Sequence, residues 1–129
     1  MPTATLTLVV NILATSTDSK CTCESACKLV CNLAFNVQIK DKLSSLGVCE
    51  ALVSVAQAHS LNIRSSVLEP AIGAIRNFAS SKLCHSKLIS LGIFELLISI
   101  LQISFSSSND VESLVEQTCG AIKNLLVSN

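Results

Sequence analysis

Residues 24–58 read ESACKLVCNLAFNVQIKDKLSSLGVCEALVSVAQA, and residues 69–103 read EPAIGAIRNFASSKLCHSKLISLGIFELLISILQI. Laid over one another at an offset of 45, without a gap, 13 of the 35 pairs are identical. The identities include Glu24/Glu69, Ala26/Ala71, Asn32/Asn77, Leu46/Leu91, Gly47/Gly92 and Glu50/Glu95, and other pairs such as Leu33/Phe78 stay apolar. At an offset of 47 the block returns once more, where EQTCGAIKNLLV (116–127) matches EPAIGAIRNFAS (69–80). The two added residues fit the serine-rich stretch SFSSSND at 104–110, and the opening run Leu8–Leu13 is similar to Leu96–Leu101. A period of this length belongs to helical solenoids with two or three helices per unit.

Local signals agree with helices. In 67–80 the apolar residues Leu68, Ala71, Ile72, Ile75, Phe78 and Ala79 follow the spacing of one helical stripe. Ser66-x-x-Glu69 has the form of a capping box, and Pro70 then falls in the first helical turn, where a missing N–H does little harm. Gly47 and Gly92 each stand between a short helical stretch and a strongly apolar one, where a left-handed residue lets the chain turn sharply. The spacing predicts helices at about 5–14, 20–35, 37–46, 48–58, 67–80, 82–91, 93–103 and 111–127. One domain covers residues 1–129: a partial unit at 1–35, then units at 36–80 and 81–129.

Composition excludes several classes of function. Half of the residues are apolar and 14% are charged, the reverse of a disordered tail. Nine Lys and Arg balance nine Asp and Glu, so no positive field points to nucleic acid or to an anionic membrane. The first 19 residues hold no Lys or Arg, which argues against a secretory signal peptide. No uncharged apolar stretch is long enough for a membrane span. Seven cysteines, an odd number with four crowded at Cys21, Cys23, Cys27 and Cys31, fit a reducing compartment: the cytoplasm first, the nucleus second.

A Gly-turned helix pair followed by a helix ending in A-x-x-x-x-N and an apolar residue resembles the armadillo repeat. Here the third helices read ACKLVCNLAF, AIGAIRNFAS and TCGAIKNLLV, with KLSSLGVCEALVSVAQ and KLISLGIFELLISILQ as the helix pairs. The resemblance implies an all-α, right-handed α-α superhelix of about two and two-thirds repeats. It also implies a concave groove, lined by the third helices, that takes peptide segments of protein partners. Carried over by position, the groove residues are Glu24, Lys28 and Asn32, then Glu69, Gly73 and Asn77, then Glu116, Gly120 and Asn124, with Arg76 and Lys123 beside their asparagines. Spacing by four independently puts each trio on one helix face. An Asn amide both donates and accepts, so a ladder of them suits an extended backbone, and the cations favour acidic partners. Nuclear-import adaptors of this family carry Trp four residues before the Asn. This chain has Lys28, Gly73 and Gly120 there, so recognition of basic localisation signals is not expected.

Other readings attach to the same residues. The asparagines could instead tie each unit to the preceding one through backbone carbonyls, and a charged stripe is ordinarily a solvated face. The chain could be an architectural piece of a longer array, with its partner site elsewhere. The cluster Cys21–Cys31 could serve redox or zinc chemistry, although one helix does not easily wrap four sulfurs around a metal, and Cys27 shares its repeat position with Ile72. Neither His59 nor His85 belongs to a nucleophile–base set, and His85 reads as a solvated surface residue. The four isolated glycines form no phosphate loop. The expectation is a non-catalytic interaction scaffold without cofactor or metal.

Overall fold

The computed structural model describes residues 2–16, 19–106 and 111–127. These form eight α-helices, with no strand among the described residues: α1 (Thr3–Thr15), α2 (Lys20–Leu33), α3 (Val37–Ser45), α4 (Val48–His59), α5 (Leu68–Phe78), α6 (Lys82–Ser90), α7 (Ile93–Ser106) and α8 (Glu112–Val127). Every expected helix is present. The largest departure is α7, which continues through Ser104–Ser106, with the Ser104 and Ser106 hydroxyls bonding back to the carbonyls of Ile100 and Gln102. The rest of the serine-rich stretch, 107–110, lies outside the described residues.

Starts and turns follow from local chemistry. Ser19 accepts from the Thr22 amide at the head of α2, and Asn36 accepts from the Ile39 amide at the head of α3. Gly47 (φ 92°) and Gly92 (φ 80°) are the positive-φ residues of the described chain, each between a short helix and a buried one. Glu50 and Glu95 then fall in the first turns of α4 and α7, where the helix dipole favours negative charge.

The expected capping box at Ser66 and Glu69 does not form. Ser65 instead accepts from the Val67 amide, the Ser66 hydroxyl faces the Glu24 carboxylate of α2, and Glu69 accepts from Ser113 ahead of Leu114 in α8. Partners on neighbouring helices have displaced the local ones.

In the packing, α5 lies between α2 and α8 and rests on α4, while α1 packs on α2, α3 and α4, and α7 on α8. The buried stripe of α5 (Leu68, Ile72, Ile75, Phe78) belongs to one continuous core with Leu52 of α4 and Leu97 and Ile100 of α7. Each such side chain contributes about 1.5–3 kcal/mol on leaving water. α1 buries Leu6, Val10 and Leu13 and exposes Leu8 and Ile12. Polar links join the outer helices: Lys87 pairs with Glu50 at 3.2 Å, and Lys40 donates to Ser80 at 3.2 Å. His85 is not a free surface residue. Its ring is half-buried and Nε2 donates to the Leu125 carbonyl at 2.6 Å, tying α6 to the end of α8.

Candidate peptide groove on α2, α5 and α8

Because α2, α5 and α8 lie in a row, the residues at spacing of three and four on each present one shared face. A cleft of about 880 Å³ opens there. From α2 and the turn after it come Glu24, Lys28, Cys31, Asn32 and Phe35. From α5 and the approach to it come Ser66, Glu69, Pro70, Gly73, Arg76 and Asn77, and from α8 comes Gln117. The first two expected trios therefore line one cleft, together with Arg76. The third trio does not: Glu116 is exposed on α8 outside the cleft, and Gly120 and Asn124 lie under α5 side chains and backbone; Lys123, beside that trio, is exposed outside the cleft too.

Arg76 explains that difference. Its side chain crosses to α8 and lies over Gly120, so that a Cβ on residue 120 would overlap Arg76 Nε, Cζ and Cδ. Nη1 reaches Gln117 Oε1 at 3.4 Å. Gly73 is likewise buried in the floor, with the Gln117 amide oxygen 3.6 Å and Cys31 Sγ 3.8 Å from where a Cβ would stand.

The asparagines divide. Asn77 Nδ2 donates to the Cys31 carbonyl at 3.1 Å, with Cys31 Sγ at 3.2 Å. Asn124 Nδ2 donates to the Arg76 carbonyl at 2.8 Å. In both cases the amide reaches the carbonyl just ahead of the asparagine on the preceding helix of the row, so these two are inter-helix ties. Asn32 is exposed in the cleft. The glutamates repeat in the same way, since Glu24 takes Ser66 and Glu69 takes Ser113.

Charge in the cleft is uneven. The Ser66 hydroxyl, and after it Lys28 at 2.9 Å, hold the Glu24 carboxyl below the usual carboxylate range. Arg76 makes no ion pair with a carboxylate among the described residues. Phe35 lines the same cleft while 76% exposed, an apolar ring offered to solvent. Sequence spacing did not assign Phe35, Ser66 or Gln117 to the groove. Phe35 is signalled only by standing three residues after Asn32, and Gln117 by sharing its repeat position with Pro70.

The cysteine cluster splits over the faces of α2. Cys23 and Cys27 are buried, and burial, then the neighbouring Cys23, push the Cys27 thiol up to about 12. Cys31 is half-buried and also raised by burial, and Cys21 is exposed beside an apolar cleft of about 390 Å³ between α1 and α2. Among the described residues no three His, Cys, Asp or Glu side chains come together as a metal site. Cys49 and Cys84 also meet in the interior, where the hydrogen bond to Cys84 and burial push the Cys49 thiol up. Among the described residues no single helix is long and apolar enough to cross a membrane. No protein-family model, curated protein or solved structure matches this chain.

Proposed function

We propose that the chain is an armadillo-like solenoid, a right-handed α-α superhelix of about two and two-thirds repeats, and a non-catalytic interaction scaffold. It binds an extended segment of a protein partner in the cleft of α2, α5 and α8. The observation that carries this reading is the cleft itself: Glu24, Lys28, Asn32, Glu69, Gly73, Arg76 and Asn77 line one concavity of about 880 Å³. That volume lies in the range of ligand sites. Its exposed Asn32 and Phe35 supply hydrogen-bonding and apolar anchors. Seven free cysteines support a reducing compartment such as the cytoplasm.

The test is selection of random displayed peptides on the immobilised protein, followed by amide chemical-shift mapping of a selected peptide. The expected footprint covers Lys28, Asn32, Phe35, Gly73, Asn77 and Gln117. A footprint confined to α3 and α6 would overturn the reading.

A second reading, a stretch of a longer stack, is favoured by apolar side chains exposed where their repeat partners are buried. Leu29 is exposed but Ala74 and Ala121 are buried, and Ile98 and Leu126 are exposed but Val53 and Ala79 are buried. These are the sides on which further helices would stack. Sequencing the full transcript for more units in the 45-residue register decides it, and a transcript without them removes it.

A further inference from the structure

The side chains of the cleft distinguish Arg76 from every other charge near it. Lys28 is paired with Glu24 at 2.9 Å, and Lys123 stands exposed on α8 away from the cleft. Glu24 is engaged by Lys28 and Ser66, and Glu69 by Ser113. Arg76 alone is a half-buried cation in the cleft with no carboxylate partner among the described residues. Among the described residues its side-chain hydrogen bond goes to the neutral amide oxygen of Gln117.

The group is also held in place. Its side chain rests on the bare backbone of Gly120, and its own carbonyl is fixed by Asn124. A guanidinium is a planar fork that matches a carboxylate with two parallel hydrogen bonds. Holding that fork in advance lowers the entropy lost on binding, and a partly desolvated pair is stronger than one in open water.

We propose that Arg76 is the anchor for an Asp or Glu side chain of the bound peptide, so that the groove selects segments by that acidic residue. The inference rests on the peptide-groove reading above. Glu24 and Glu69 lie toward the other end of the cleft: seven residues separate Glu69 from Arg76 on α5, roughly 10 Å of helix. A second acid placed there meets repulsion, so the acidic residue takes one register. The exposed Phe35 ring gives the same peptide an apolar contact. Neighbouring helices in the row are spaced by ~8–10 Å, and Arg76 reaches from α5 over α8. One to two such spacings correspond to roughly three to six residues of extended chain between the apolar residue and the acid.

The experiment compares random-peptide selections on wild type, Arg76→Gln, Gln117→Glu and Lys123→Gln, the last an exposed α8 cation outside the cleft, with the enriched sequences read in bulk. Wild type and Lys123→Gln are expected to enrich Asp or Glu at one register by roughly tenfold, the scale of one charged hydrogen bond. Arg76→Gln is expected to lose that enrichment while still selecting apolar residues. Gln117→Glu keeps Arg76 and supplies it with an internal carboxylate, so it should lose the enrichment too, and it covers the case in which Arg76→Gln does not fold. An acidic preference that survives both Arg76→Gln and Gln117→Glu, or that Lys123→Gln abolishes, overturns the assignment. Peptides selected by wild type without acidic preference overturn it while leaving the groove intact. Selection of no peptide at all overturns the groove reading itself.

Discussion

Asn77 and Asn124 each spend an amide on a carbonyl of the preceding helix, whereas Asn32 faces solvent in the cleft. Three residues that look identical in the repeat therefore differ in energy. Removing a half-buried donor leaves a carbonyl poorly satisfied, which costs about 1–2 kcal/mol. Asn77→Ala and Asn124→Ala should each lose about that much in urea unfolding, and Asn32→Ala should stay within about 0.5 kcal/mol. Equal losses at all three would refute the division. The spacing of the asparagines was legible in the sequence, but the partner of each amide was not, because a carbonyl 46 or 48 residues away leaves no local signature. Glu24 carries the second residue-scale prediction. Its folded pKa lies below 4.5, chiefly through Ser66, so its contribution is present above that value and fades as pH falls through the lower, folded one. Ser66→Ala should move the Glu24 midpoint upward in a carboxyl NMR titration and shrink the part of the stability that acid removes. An unmoved midpoint would assign the depression to Lys28 instead.

At the scale of the element, the turns were readable because their cause is local. Gly47 and Gly92 hold φ near 90° and 80° between two helices, a region that a Cβ penalises by about 1–2 kcal/mol. Gly47→Ala and Gly92→Ala should each lower stability by that amount without altering helix content, as measured by circular dichroism during denaturation. A neutral effect at either would mean that the turn relaxes. Gly120 makes the contrasting case: it sits within a helix, and what a methyl meets there is the Arg76 side chain. The start of α5 shows why some local signals mislead. Ser66 and Glu69 have the spacing of a reciprocal cap, yet Glu24 and Ser113 are stronger competitors because the row of helices brings them alongside. His85 escaped the sequence reading for the same reason, since its acceptor belongs to α8.

For the whole molecule, the order of helices came from the 45-residue offset, while the shape of the cleft depended on one side chain. Seven expected groove residues share the concavity, while Glu116 and Lys123 stand exposed on α8 outside it and Gly120 lies beneath the Arg76 side chain. Nothing in residue spacing says which way a long side chain will lie. The row itself carries a last prediction. α5 is flanked by α2 and α8 and backed by α4, and its face is almost wholly buried, whereas α8 meets only α5 and α7 among its main neighbours. In a stack where each unit contacts only adjacent ones, opening free energies should fall from the middle toward the ends. Hydrogen exchange should therefore be slowest in α4 and α5 and faster in α1 and the last turns of α8. A peptide seated in the cleft at a hundred times its Kd should add about 2.7 kcal/mol to openings that disrupt the cleft, and little to local openings of α3 and α6. Exchange that is uniform along the chain, or protection that rises first in α3 and α6, would show that the helices do not form a row with its binding face on α2, α5 and α8.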